Sequence, residues 1–341
     1  MIPPLPTSVG IRSIGGYLPK EILDNAELEG MLDTTAAWVE ERLGIYQRHI
    51  AAPDQQASDL GLAALQEALD NAGVPLRDVD LLICGTVTPD HMLPATAAAI
   101  AHKAGLNGVP CFDVNSGACA GGVFALDVGA RYVASGQYRC VAVVLTDVMS
   151  RICATDDRTT RAIFGDGAAC YLLQPCEAGR GIGVTLLRTM PDWYYTAHVR
   201  RRPSQDPHAN LFSGDNALVM NGAEVRDFAL DTIPHFIQEV AAAEGISVDA
   251  ADLIVLHQAN ARLIPKILQR VGVSADKTVV TAGYMGNTSG ASVPLALCEA
   301  LKQGRIQPGS LILAVAFGSG LSMGGTVIRW CATEDFPLLP K

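Results

Sequence analysis

The sequence predicts an α/β protein made of two copies of one unit, with mostly parallel sheets and helix layers packed on them. Three observations carry this. Short apolar runs alternate with helical spacings along the chain, the pattern of sheets covered by helices. Leu81-Leu82-Ile83-Cys84-Gly85 has a counterpart 172 residues later in Leu253-Ile254-Val255-Leu256-His257. The same offset relates Ala72-Gly73-Val74 to Glu244-Gly245-Ile246, Asp80 to Asp252, Asn115 to Asn287 and Val141-Ala142-Val143 to Leu313-Ala314-Val315. A constant offset of half the chain, held across helix, strand and turn, indicates an internal duplication. The halves are taken as residues 1–179 and 180–341.

The elements follow in order. Residues 9–17 alternate as a strand ending at Gly15-Gly16, and 25–32 form a short helix. Thr34-Thr35 caps a second helix over 36–43, stopped at Gly44. Leu60, Leu62, Ala63, Leu65, Ala68 and Leu69 keep a helical spacing over 58–72, with Ser58 as N-cap and Gly73 as the stop. Residues 79–84 form a buried strand. A helix over 95–104, a strand over 108–112 and a strand over 140–145 come next.

Composition narrows the function classes. Of 341 residues, 49% are apolar and 18% charged, which supports a large core and few solvated tails. A formal charge of −10 argues against nucleic acid as the main partner. No run of eighteen apolar residues exists to cross a membrane, and Met1-Ile2-Pro3-Pro4-Leu5-Pro6 has no signal-peptide character. Nine cysteines, an odd number without framework spacing, suit reduced thiols in a cytoplasm. Neither a CxxC pair nor a His/Asp/Glu cluster with ligand spacing is present, so no metal is expected.

The stretch from Phe112 to Gly122, Phe-Asp-Val-Asn-Ser-Gly-Ala-Cys-Ala-Gly-Gly, reads as a strand end, a turn of small residues and a helix starting near Cys119. At the first turn of a helix a thiol meets the positive end of the macrodipole and unpaired N–H groups. Both lower its pKa and favour the thiolate. Small neighbours leave room for an acyl group. A buried, inert structural cysteine is the alternative. On the duplication, Cys119 and Asn287 sit on equivalent turns and His257 ends an equivalent strand, so three polar groups from two halves can converge.

These residues bring a resemblance into view. The chain is similar to the thiolase-fold condensing enzymes, specifically the ketoacyl-acyl-carrier-protein synthase III family, from Gly15 to about Trp330. The motifs are Trp38-Val39-Glu40-Glu41-Arg42-Leu43-Gly44-Ile45, Ala118-Cys119-Ala120-Gly121, Asp157-Arg158-Thr159-Thr160 and Phe164-Gly165-Asp166-Gly167-Ala168. His257-Gln258-Ala259-Asn260, Gly286-Asn287-Thr288-Ser289 and Phe317-Gly318-Ser319-Gly320 complete the set. The resemblance implies a thiolase-like five-layered αβαβα fold, a homodimer, and no cofactor beyond a coenzyme A thioester as substrate.

It also implies roles. Cys119 takes an acyl group from acyl-CoA. His257 and Asn287 donate hydrogen bonds to the enolate formed when malonyl-acyl carrier protein loses CO2. The backbone N–H groups of Cys119 and Ser319 form the oxyanion hole. Trp38 and Arg158 resemble a pair that sandwiches adenine, with Arg42 on the nucleotide phosphates. Met220 and Gly222 match a channel-lining segment, Asn260 a substrate contact, and Phe317 a cushion beside the nucleophile. Arg262, Lys266 and Arg270, spaced i, i+4, i+8, form a basic stripe suited to an acidic carrier protein; an ordinary solvated helix face is the alternative. Leu93 stands where relatives reach an aromatic into the partner's acyl channel.

Two departures stand out. One residue more than usual lies between Asp113 and Cys119. The segment Pro191-Asp192-Trp193-Tyr194-Tyr195, running to Arg200-Arg201-Arg202-Pro203, replaces a shorter glycine-rich loop. Its arginines suit a carboxylate or phosphate, or simply a solvated loop. The leading expectation is decarboxylating condensation with a primer other than plain acetyl, in fatty-acid or specialised biosynthesis. The alternatives are acyl transfer to a hydroxyl, amine or thiol without carbon–carbon bond formation, and a non-catalytic partner subunit of a heterodimer. Retention of Asn287 disfavours the former and retention of Cys119 the latter.

Overall fold

The alternating N-terminal residues form the strand Val9–Tyr17, at one edge of a five-stranded sheet. In the computed structural model, which describes residues 5, 7–115, 117–199 and 217–337, that sheet continues with Gly167–Pro175, Val141–Asp147, Leu81–Gly85 and Cys111–Val114. A second, four-stranded sheet repeats the first four positions in the same order: Gly181–Thr189, Ser322–Arg329, Leu311–Gly318 and Leu253–Leu256. Val9–Tyr17 and Gly181–Thr189 are nine residues each and begin 172 positions apart.

Pairing is mixed rather than mostly parallel. Leu81–Gly85 runs parallel to both neighbours, and Leu253–Leu256 parallel to Leu311–Gly318. The other four pairings within these two sheets are antiparallel. Strands covered on both faces read as continuous apolar runs in either direction, so the pattern alone does not separate the two. In the second sheet Leu311–Gly318 turns back into Ser322–Arg329 within three residues, a connection that only antiparallel strands can use.

Helices Gly121–Ala134 and Ser292–Lys302 lie between the sheets. Ala57–Ala72 and Thr96–Ala104 cover the outer face of the first sheet. Gly222–Asp231, Ile233–Glu244 and Leu263–Val271 cover that of the second. The apolar core therefore falls into a central slab and two outer ones, the five-layered αβαβα arrangement. All seven residues of Val141–Asp147 are buried, consistent with a strand covered on both faces.

Equivalent residues do equivalent work. Helices Ala57–Ala72 and Ile233–Glu244 both end on a left-handed glycine, Gly73 and Gly245, that frees the chain to turn. The Asp80 carboxylate accepts the N–H of Arg139 and Cys140 at 2.8 and 3.0 Å, and Asp252 accepts that of Leu311 at 2.8 Å. Each aspartate ties the start of one strand to the next.

Three local expectations are corrected. Helix Ala57–Ala72 begins one residue early, with Gln56 at its N-cap. Ser58 lies inside the first turn, where its hydroxyl and N–H bond to Asp90. The strand expected over 108–112 is Cys111–Val114, because Gly108 takes a left-handed conformation that a strand excludes. Finally, Val141 pairs with Leu81 whereas Ile312, not Leu313, pairs with Leu253. The offset is 172 at the strands Leu81–Gly85 and Leu253–Leu256 but 171 at the turns Ala118–Ala120 and Ser289–Ala291, so the two copies differ in length between those points.

Candidate active site

Two short turns build the site. Ala118–Ala120 is a single 3-10 turn leading into Gly121–Ala134, and Ser289–Ala291 its counterpart leading into Ser292–Lys302. Ala118 and Ser289 are the two non-glycine residues with positive φ among the described residues, at 47° and 52°. The turns interlock through glycines. A Cβ on Gly122 would come within 2.4 Å of the Gly290 carbonyl oxygen. One on Gly318 would meet the Gly117 oxygen at 2.0 Å and the amide nitrogens of Cys119 and Ala120 at 2.8 Å. The glycine turn that carries Ser319 is thus pressed against the backbone around Cys119, where the oxyanion hole is expected.

Asn287 is held from both sides. Its N–H donates to the Ile163 carbonyl at 2.9 Å, and its own carbonyl accepts the Gly165 N–H at 3.0 Å. Gly286 precedes it with φ 71°, and a Cβ there would lie 2.8 Å from the Cβ of the buried Arg48. The Phe164–Ala168 motif therefore serves the site indirectly. Gly165 braces Asn287, and the buried Asp166 carboxylate accepts the N–H groups of Ala51 and Ser150, both at 2.8 Å.

Cys119, Asn287 and His257 meet in sequence, all buried. The Cys119 thiol faces Asn287 Oδ1 at 3.9 Å, and Asn287 Nδ2 lies 3.5 Å from His257 Nε2. The Ser289 N–H donates to Asn287 Oδ1 at 2.9 Å, which fixes the amide with its NH2 toward the imidazole. His257 Nδ1 lies 2.7 Å from the Ser292 hydroxyl, a partner that sequence reading missed. A hydroxyl both donates and accepts, so Ser292 supports either imidazole tautomer. Its signal was its place one turn beyond the Asn287 motif, at the start of the repeat helix.

Burial sets the charges. It pushes the Cys119 thiol up to about 12, Asp147 adding to the effect and hydrogen bonds involving Ser289, Asn287 and the Cys119 amide opposing it. Burial thus works against the activation expected from the helix end, since desolvation disfavours the charged form. Burial alone pulls His257 down to about 3, leaving a neutral imidazole at pH 7. The resting pair is thiol and imidazole, not an ion pair.

The outlying residues fall into three groups. Met220, half-buried, packs on the apolar cluster of Cys119, Met149, Cys153, Phe164 and Leu218, while Gly222 is exposed at the start of the next helix. Phe317 meets His257 edge to face at 5.3 Å, so it cushions the imidazole. Trp38 and Arg158 do come together, the guanidinium 5.5 Å from the indole centre. Two stacking gaps need about 7 Å, so a flat base between them requires the pair to part. Arg42 is exposed on the same helix as Trp38.

On the stripe, Arg262 donates to the Glu40 carbonyl at 3.3 and 3.4 Å and Arg270 pairs with Asp231. Lys266 is exposed between them. Asn260 Oδ1 accepts the N–H groups of Arg262 and Leu263 at 3.1 and 2.9 Å, capping the helix. Leu93 is 86% exposed. Trp193 packs on Phe228 at 6.0 Å, and Tyr194 and Tyr195 are exposed. Arg200, Arg201 and Arg202 lie outside the described residues. Among the described residues no group of His, Cys, Asp or Glu is placed to hold a metal, and no helix is long and apolar enough to cross a membrane.

Layers, interlocked turns and a cysteine facing histidine and asparagine across the duplication define a thiolase-fold acyltransferase architecture. Solved structures agree. A beta-ketoacyl-[acyl-carrier-protein] synthase III from Thermus thermophilus superposes with a TM-score of 0.88 at 34% identity, over 94% of this chain and 99% of that one. The priming beta-ketosynthase of a polyketide biosynthetic pathway does so at 0.89 and 33%, over 97% and 98%. The family models for 3-oxoacyl-[acyl-carrier-protein] synthase III and for its C-terminal region match residues 112–190 and 241–330. Beta-ketoacyl-[acyl-carrier-protein] synthase III of Symbiobacterium thermophilum is 38% identical over 94% of this chain and 98% of its own. The Escherichia coli enzyme of that name is likewise 38% identical, over 94% and 99%. The chain belongs to the 3-oxoacyl-[acyl-carrier-protein] synthase III family.

Proposed function

We propose that this enzyme loads an acyl group from a coenzyme A thioester onto Cys119 and condenses it with malonyl-acyl carrier protein. The observation that carries the reading is the line Cys119–Asn287–His257, closed at 3.9 and 3.5 Å from two halves of the chain. In the first step the Cys119 sulfur bonds to the acyl carbon, the bond to coenzyme A breaks, and the thiol proton leaves with the coenzyme A sulfur. His257 Nε2, unprotonated at rest, receives and returns that proton.

In the second step the carbon–carbon bond of the malonyl group breaks and CO2 leaves. The enolate oxygen is held by the Asn287 NH2 and the His257 Nε2–H tautomer, which Ser292 supports. The enolate carbon bonds to the acyl carbon, the thioester bond to Cys119 breaks, and the sulfur leaves as a thiolate that takes a proton from solvent water to restore the resting thiol. Trp38, Arg42 and Arg158 take the nucleotide of coenzyme A, and Lys266 with Arg262 faces the acidic carrier protein. A homodimer completes the assembly, with the edge strand Cys111–Val114 and the exposed Leu93 as its expected contacts.

The test is intact-protein mass spectrometry after incubation with acetyl, branched, medium-chain, aromatic and dicarboxylic acyl-CoAs, followed by malonyl-acyl carrier protein. Condensation predicts one acyl mass on Cys119, discharged with CO2 release. Discharge only by an alcohol or amine acceptor would establish plain acyl transfer instead.

A further inference from the structure

Arg48 lies on the short strand Gln47–Ile50, and its side chain is fully buried. Each of its hydrogen bonds goes to a neutral oxygen. One terminal nitrogen donates to the Leu23 carbonyl at 3.0 Å and to Asn25 Oδ1 at 2.9 Å, and the other to the Ala162 carbonyl at 2.8 Å. Burial pulls the guanidinium down to about 10, against the pull of Asp24, so it stays charged at neutral pH. Neutral acceptors only partly offset the cost of taking a cation out of water. A planar fork that reaches three oxygens on separate stretches of chain is what this place uses.

One of those stretches reaches both substrate sites. At the start of residues 158–165, Arg158 lies 5.5 Å from the Trp38 indole centre and donates to the Asp33 carbonyl at 2.9 Å. Near its end, the Ile163 carbonyl accepts the Asn287 N–H at 2.9 Å and the Gly165 N–H donates to the Asn287 carbonyl at 3.0 Å. Ala162, between the two, is buried in one apolar cluster with Val39, the neighbour of Trp38. The backbone of Arg48 also leans on the asparagine's supports. A Cβ built on Gly286 would lie 2.8 Å from the Cβ of Arg48, and one on Gly165 3.1 Å from it. Arg48 thus touches the brace of Asn287 from one side and holds Ala162 from the other.

We propose that Arg48 is a positioning residue for both half-reactions: it pins residues 158–165 at Ala162, and so fixes the Trp38–Arg158 pair at one end and the Asn287 amide at the other. The helix Arg158–Arg161 is four residues long, too short to hold itself in place. A base entering between Trp38 and Arg158 must part them, and an unpinned segment would carry that movement on to Ile163 and Gly165. With Ala162 held, the movement stays in the side chains and Asn287 keeps its alignment for the enolate. Preorganisation of this kind lowers the cost of binding the thioester and preserves the donor geometry that the second step needs. Lysine cannot replace the fork, since one ammonium does not span the Leu23 and Ala162 carbonyls.

The proposal rests on the condensation reading, and the experiment separates the two. Full-length wild type, Arg48→Met and Arg48→Lys are compared by amide hydrogen exchange, by acyl-CoA loading and by CO2 release from malonyl-acyl carrier protein. In both variants the peptides carrying Gly165 and Asn287 should exchange about tenfold faster, the loss of one charged hydrogen bond. Strand Val141–Asp147 should keep its wild-type protection. The KM for acyl-CoA should rise about tenfold and CO2 release fall about tenfold, while loading at saturating thioester stays within about twofold. A merely structural residue would speed exchange throughout or lower every rate alike with KM unchanged, and either result overturns the proposal. So does wild-type exchange at both peptides, or full function in Arg48→Lys. If Arg48→Met does not fold, Arg48→Lys decides alone by the same readings. Faster exchange confined to those two peptides, in an enzyme that no acyl-CoA acylates, would uphold the pinning by Arg48 while sinking the condensation reading.

Discussion

The turns Ala118–Ala120 and Ser289–Ala291 occupy the same place in two copies of one unit, yet they do different chemistry. Each enters through a left-handed residue, each leads into a central helix, and each is pinned to the other by glycine. The first surrounds its sulfur with Gly117, Ala118, Ala120 and Gly121. The second follows Asn287 and is polar at Ser289 and Ser292. A duplicated scaffold supplies two rigid turns facing each other. Dividing the nucleophile from the hydrogen-bond donors is then a matter of a few side chains.

The sharpest way to break that division is at its ends. Cys119→Ala should abolish acyl-enzyme formation entirely, read as the loss of any acyl mass on intact protein. His257→Ala should still acylate while CO2 release from malonyl-acyl carrier protein falls on the order of 100-fold or more. Normal release would contradict its place on the donor side.

Backbone contacts between the turns rank next. Gly318→Ala drives a methyl into the Gly117 carbonyl and should cost about 1–3 kcal/mol by thermal or denaturant unfolding, together with slower acylation. Gly290→Ala, whose nearest neighbour is the Ala118 carbonyl at 3.3 Å, should cost clearly less. Equal losses would mean that the interlock is not specific to the nucleophile.

The pH response has a definite sign. With its thiol pushed to about 12, Cys119 should be alkylated faster by about tenfold per pH unit from 7 to 9, without a plateau. A plateau near neutrality would restore the activated-thiolate expectation. The smallest effect belongs to the docking stripe. Lys266→Glu should raise the carrier-protein KM a few-fold and leave acyl-CoA loading unchanged, whereas Arg270→Glu, already paired with Asp231, should do less.

Much of this was legible in the sequence, for physical reasons. The duplication showed because Asp80 and Asp252, or Gly73 and Gly245, are fixed by backbone needs that both copies share. The Cys119–His257–Asn287 convergence followed from that symmetry, and the structure brings the three together. Strand direction was not legible, since a doubly covered strand is apolar either way. The upward push on the Cys119 thiol was not legible because helix position is read locally, whereas desolvation comes from packing on both sides. Ser292 escaped notice because its work depends on a contact with His257, 35 positions away in the chain.

The division between the two turns is tested most directly on Asn287→Ala, incubated with the enzyme's acyl-CoA and then malonyl-acyl carrier protein, with intact mass followed over time. The account predicts an acyl mass that forms on Cys119 and persists. Absence of any acyl mass, or its discharge at the wild-type rate, would contradict it.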